Sequence, residues 1–270
     1  MNLWTRAVRA ELRKLFTTRL WWGMAIAVLL SGAAFALLFA FVFTSAAVEG
    51  PQGAGAPTTD GALAKSVFTG GLQIGYLLTL SVGVLTIGSE YRHQTITATF
   101  LAVPRRVRVM TAKVAALLVI GAFYGVLSLA GAVGAGSLAL SAKGHAPFAD
   151  STIWRTLALS LLVLGLWALI GLGAGILIPN QVAALLISVA VAWIVEPVLG
   201  LVLALTDWGK SVSPYLPSRA TTAMLDTSTG GFDNQPVAQL SWWAGALVLT
   251  AYAVVMAGLG TWRTVRADVS

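Results

Sequence analysis

The sequence predicts an all-α integral membrane protein, a six-transmembrane-helix bundle entered by an amphipathic N-terminal interfacial helix. Two observations predict it. Six apolar runs, Leu20 to Phe43, Val67 to Gly88, Val114 to Leu140, Thr156 to Ile178, Val182 to Leu205 and Leu240 to Trp262, are each long enough at about 1.5 Å per residue to cross a ~30 Å hydrocarbon core. The second is charge: with the N-terminus inside, Arg6, Arg9, Arg13, Lys14, Arg19, Arg92, Arg105, Arg106, Arg108, Lys113, Arg263 and Arg266 face the cytoplasm, which is 12 of the 17 basic residues. The outside keeps Lys65, Lys143, Arg155, Lys210 and Arg219. Both termini are expected to be cytoplasmic. A water-soluble domain would have to bury all six runs, and a chain with 57% hydrophobic and 10% charged residues lies outside the globular range. The net charge of +7 reads as a mark of topology, and no nucleic-acid partner is expected, because the basic residues hug the span ends.

Residues 3–19 read as a helix along the membrane surface. Trp4, Val8, Leu12, Leu15 and Phe16 recur at three- and four-residue spacing, and Arg6, Arg9 and Arg13 share another face toward lipid headgroups or a cytoplasmic partner. The run after it is longer than a cleavable signal core, so Leu20 to Phe43 is read as the first span. Thr44 to Lys65, with Gly50, Pro51, Gly53, Gly55 and Pro57, is expected to be a flexible outer loop.

The connection between the second and third spans is the most informative polar stretch. From Glu90 it runs through Tyr91, Arg92, His93, Gln94 and Thr95, then places Ile96, Phe100 and Val103 at helical spacing before Pro104 and the basic group Arg105, Arg106 and Arg108. A simple connector needs only a few residues. A short helix over 90–104 with an apolar edge and a basic flank suits a groove on a soluble protein, with Ile96 and Phe100 as anchors. Glu90 and Arg92 would set its angle through ion pairs, with the partner or with the basic entry helix.

Ser141 to Ile153 is a solvated outer loop whose His145 and Asp150 are too few to predict a metal site. The fourth and fifth runs meet at Pro179-Asn180-Gln181 and form an antiparallel hairpin. Within the fifth lies the one intramembrane acid, Glu196, followed by Pro197; it should face protein or water, as part of a substrate path or gate or as a structural hydrogen-bond partner. Residues 206–239 form an outer re-entrant or loop region with a short helix from Ser218 to Leu225. Pairs such as Gly71 and Gly75, Gly121 and Gly125, and Gly171 and Gly175 are expected to bring helices close within the bundle.

Catalytic chemistry finds no support. The chain has no cysteine, no Gly-x-x-x-x-Gly-Lys-Ser/Thr loop and no His-Glu-x-x-His motif.

These features together resemble the type-2 ATP-binding cassette exporter permeases. The resemblance covers nearly the whole chain and rests on the entry ending in Glu11-Leu12-Arg13-Lys14-Leu15, the stretch from Gly88 through Pro104-Arg105-Arg106 to Lys113, the Asn180-Gln181 hairpin and Glu196-Pro197. Gln94 stands where that family often has Gly. The resemblance implies a permease subunit, not itself an enzyme, that forms a homodimer and pairs with two copies of a separate ATPase subunit holding ATP and Mg, and the Ala- and Gly-rich, Arg-over-Lys composition points to a bacterial plasma membrane. Residues 3–19 would be the connecting helix and 90–104 the cytoplasmic coupling helix, with Glu90, Tyr91, Arg92, Thr95, Ile96, Phe100, Pro104, Arg105 and Arg106 at the ATPase contact. Spans with so many apolar and so few ionisable groups favour an amphipathic or lipid-like cargo, a drug, lipid or peptide, and the mechanism that the resemblance implies is alternating access. Two other classes share the span count: the substrate-binding membrane subunit of an energy-coupling-factor uptake system, and a non-transport immunity or sensor protein.

Overall fold

A computed structural model describes residues 3–45, 57, 59–95, 105–227 and 240–266. In chain order these form α1 (Leu3–Phe16), α2 (Leu20–Phe43), α3 (Asp60–Thr69), α4 (Leu72–Arg92), α5 (Arg106–Ala142), α6 (Thr152–Leu177), α7 (Gln181–Ala190), a π turn (Val191–Val195), α8 (Glu196–Ala204), α9 (Asp207–Val212), a 3-10 turn (Ser213–Tyr215), α10 (Pro217–Met224) and α11 (Trp242–Arg266). No strand occurs among the described residues. Six helical stretches there are long and apolar enough to cross a membrane: α2, α3 with α4, α5, α6, α7 through α8, and α11. The chain is a multi-pass all-α membrane protein.

Several boundaries differ from the sequence reading, each for a local reason. The entry helix stops at Phe16 instead of Arg19, because the Thr17 and Thr18 hydroxyls donate to the Lys14 and Leu15 carbonyls and draw off the last turn. The second span starts at Asp60 instead of Val67: the Thr59 hydroxyl caps α3 by accepting from the Ala62 N–H. Lys65 therefore sits in a helix and not in a flexible loop. The break between α3 and α4 falls at Gly70 and Gly71, where α2 presses in so closely that a Cβ on Gly71 would meet the Gly32 Cα at 2.8 Å. The third span runs from Arg106, not Val114, so its 37 residues extend about 55 Å and carry Arg106 and Arg108 in one continuous helix with Lys113. The sixth continues past Trp262 to Arg266.

α6 is the central post. Within its apolar window 72% of residues are buried, against 17% for α7 through α8, so the fifth span rides on the periphery. At the α5–α6 crossing a Cβ on Gly121 would stand 2.4 Å from the Gly165 Cα, a backbone-to-backbone approach that two glycines make possible. Tyr76 stacks on Trp167 with ring centroids 4.3 Å apart, and Tyr124 is fully buried with its hydroxyl donating to the Trp21 carbonyl. The large apolar side chains left outside, such as Ile26, Leu30 and Phe41 on α2 and Trp193, Ile194 and Val202 on the fifth span, are what a lipid-facing surface requires.

The helix ends gather into two polar layers. One holds α1, the end of α4, the start of α5 and the ends of α6 and α11, and is called here the basic end. The far end holds the start of α3, residues 143–151, the start of α6 and the segment after α10.

Candidate functional site

The basic end contains the most deeply buried charges described. α1 packs chiefly on α5 and climbs it in the same direction: Glu11 meets Lys113, and Phe16 meets Phe123 edge-on at 5.7 Å, ten residues or about 15 Å further along α5. The face that makes this contact carries Leu12, Leu15 and, among them, Glu11, which is 6% exposed. Glu11 is the only acid before Glu49, and it lies on the apolar face of an otherwise basic helix.

Four charges close on one another there. The Lys113 ammonium, with no exposed side-chain surface, donates to Glu11 Oε2 at 2.8 Å and to Glu90 Oε1 at 2.6 Å. The Lys14 ammonium donates to Glu11 Oε1 and Glu90 Oε1, both at 2.8 Å, and remains 44% exposed. Two positive and two negative groups balance. A buried ion pair is sustained only where geometry and hydrogen bonds offset the loss of water, and here each lysine reaches both carboxylates. Among the described residues, Glu90 Oε2 is the one acceptor of the cluster that is buried with no partner.

The electrostatics follow from this packing. Burial by itself would raise the Glu11 carboxyl, but the charge and hydrogen bond of Lys113, aided by Lys14, outweigh it and hold Glu11 below the usual carboxylate range. Burial would lower Lys14, and its hydrogen bonds to Glu11 and Glu90 outweigh that, so its ammonium is held above the usual lysine value. Both groups stay charged across the neutral range.

The predicted docking residues divide. Glu90 and Tyr91 belong to the last turn of α4, with Glu90 in the buried cluster and the Tyr91 hydroxyl 3.1 Å from the Thr264 hydroxyl of α11. Arg92 and Thr95 are exposed. Arg105 is exposed at the entry to α5, and Arg106 donates to the Thr264 carbonyl at 3.3 Å. Ile96, Phe100 and Pro104 lie outside the described residues. The stretch 90–104 is thus not one surface element, since its first three residues are the end of a membrane helix. Between the two parts, Gln94 adopts φ 53, the left-handed conformation that favours glycine, as α4 ends with the Gln94 N–H donating to the Tyr91 carbonyl.

Sequence reasoning missed two partners. Lys113 counts in the sequence only among the cytoplasmic cations just ahead of the third run, and nothing in the local pattern marks it as a buried partner of Glu11 and Glu90. Thr264 carried no signal.

Glu196 occupies a second polar locus, within the bundle. It is 6% exposed, and its carboxylate accepts from the Ser218 N–H and hydroxyl at the start of α10, with Arg219 close enough to share its charge. Tyr76 and Tyr252 lie within electrostatic reach of it. α10 spans Pro217–Met224, one residue earlier at each end than the predicted Ser218 to Leu225, because Pro217 is preset for the first helical position.

At the far end, Lys65 pairs with Asp150 at 3.4 Å and Asp226 at 3.3 Å, Arg155 with Asp226 at 2.9 Å, and His145 Nδ1 with Asp60 at 2.9 Å. Asp150 also accepts from the Thr152 hydroxyl and N–H, which hold its carboxyl below the usual range. No group of three metal-ligating side chains is found among the described residues.

No known family model and no curated protein matches the sequence.

Proposed function

We propose that this chain is the permease subunit of an ATP-binding cassette exporter, acting as a homodimer with two copies of a separate ATPase subunit, in a bacterial plasma membrane with both termini in the cytoplasm. The observation that supports this most is the four-charge cluster. The connection from His93 to Arg105 leaves the end of α4 and returns into α5, and those two roots, with α1 against them, are tied by Lys113, Lys14, Glu11 and Glu90. A load taken by the connection is therefore delivered to three helices together. This is what a docking loop needs if a partner's movement is to tilt whole spans instead of bending a loop.

In this reading Ile96 and Phe100 seat in the ATPase, Arg92, Thr95 and Arg105 flank that contact, and Tyr91 and Arg106 carry the motion to α11 through Thr264. ATP and Mg act on the partner. The apolar interior favours an amphipathic or lipid-like cargo.

The test is purification of the full chain from the membranes of its native host. An ATP-hydrolysing subunit should co-purify in equal amount, and Phe100→Asp should insert normally but lose it. A Phe100→Asp protein that keeps the full complement of ATPase, or a native chain that brings none, would refute the reading.

A further inference from the structure

The fifth span is divided by its own sequence. α7 docks on α4, with Ala184 fully buried and Gly88 set against Gln181, whereas α8 buries only Glu196, Gly200 and Leu203. Those three turn toward the segment that follows: Gly200 lies against Arg219 and Leu216, and the Leu203 carbonyl against Gly209. Between the halves is the π turn Val191–Val195, and Pro197 follows at once. A π turn and a proline both interrupt the regular hydrogen-bond ladder, so the span is jointed just before Glu196.

By contrast α10 is fixed to the bundle. The Trp167 indole N–H donates to the Thr221 hydroxyl at 3.0 Å, and the Thr156 hydroxyl to the Leu225 carbonyl at 3.1 Å. α11 approaches so closely that a Cβ on Gly245 would meet the Ala220 carbonyl oxygen at 2.6 Å. Glu196 bridges the jointed half and the fixed helix. Pro217 has no N–H, so Ser218 offers the first free donor of α10, and a carboxylate is the acceptor that the positive end of a helix favours.

We infer that Glu196 is a latch: its carboxylate, capping α10 from the fifth span, holds α8 against the bundle, and when it is released α8 swings outward about the Val191–Val195 turn. The latch is a mechanical property of the chain alone. Its use as the outward gate of a transporter rests on the permease reading above.

The chain has no cysteine, so paired spin labels at Leu201 on α8 and Leu247 on α11, both exposed, report this motion directly in the full chain in lipid nanodiscs. The native protein should give one narrow distance within each protomer, read with unlabelled chain in excess so that labels on a second copy do not contribute. Glu196→Ala should shift the ratio of long to short separations by about 10- to 100-fold, the range expected from losing a hydrogen bond to a charged group. Glu196→Gln, which keeps an acceptor oxygen, should retain most of the short population. If the alanine protein does not fold, Glu196→Asp, one methylene too short, must open in its place. A native distribution in the alanine or aspartate protein, or a glutamine protein that opens as fully as alanine, overturns the latch. The measurement uses neither ATPase nor cargo, so its failure leaves the permease reading standing, and failed ATPase co-purification leaves the latch standing.

Discussion

The two ends of the bundle both join helices with charge, but they do it differently. At the basic end Lys113 is wholly enclosed and shares two nearly buried carboxylates with Lys14. At the far end Asp226, the acceptor for both Lys65 and Arg155, keeps 53% of its side chain exposed. Buried charges cannot exchange a lost partner for water, whereas exposed ones can. The basic end is therefore tied as one block and the far end by separable contacts, a division that the proposed permease would use.

The largest effect that separates the ends should come from Lys113→Ala. It leaves Glu11 and Glu90 side by side with Lys14 alone, and breaking a buried pair in this way costs about 3–5 kcal/mol. Thermal unfolding in detergent should show the loss. If Lys113→Ala costs no more than a far-end substitution, the contrast fails.

A smaller effect should follow pH. The folded Glu11 carboxyl is held low, so its contribution is present above its unfolded value near ~4.3 and is lost as pH falls through the folded value. Lys14 is held high, so its contribution is complete below ~10.4 and is lost as pH rises through its folded value. The unfolding temperature should be level between these limits and fall outside them, and Glu11→Gln should weaken the acid limb. An acid limb as steep in Glu11→Gln as in the native protein would remove Glu11 from the account. The smallest effect is expected for Asp226→Asn, about 1 kcal/mol or less, because Asp226 is itself half exposed and the buried Lys65 keeps its pair with Asp150. A cost comparable to that of Lys113→Ala would make the far end a block as well.

Much of this was legible in the sequence. Span number and the hairpin follow from hydropathy and from the three-residue link Pro179-Asn180-Gln181, and the structure adds that the Asn180 side-chain oxygen accepts the Val182 and Ala183 N–H groups. The polar connection after Glu90 stood out because it is longer than a connector needs. What stayed hidden was set by contacts distant in sequence. Lys65 counts as a loop residue until Asp150 and Asp226 are seen beside it. Lys113 counts as a headgroup cation until α1 brings Glu11 to it, 102 positions away in the chain. Glu196 was visible as an acid in an apolar run, but its role as the cap of α10 depends on Ser218, which nothing in local pattern marks.

The central claim is that the basic end transmits a partner's movement because its four charges bind three helices into one block. The most direct measurement is the Leu201–Leu247 spin-label distance in the complex with the proposed ATPase partner, with and without ATP, in the native chain and in Glu90→Gln. Gln keeps an acceptor at the root of α4 but removes one of the two negative charges that the lysines share. The account predicts an ATP-dependent change in the native complex and a much reduced one in Glu90→Gln, with ATP hydrolysis continuing in both. An ATP response in Glu90→Gln as large as the native one would contradict it.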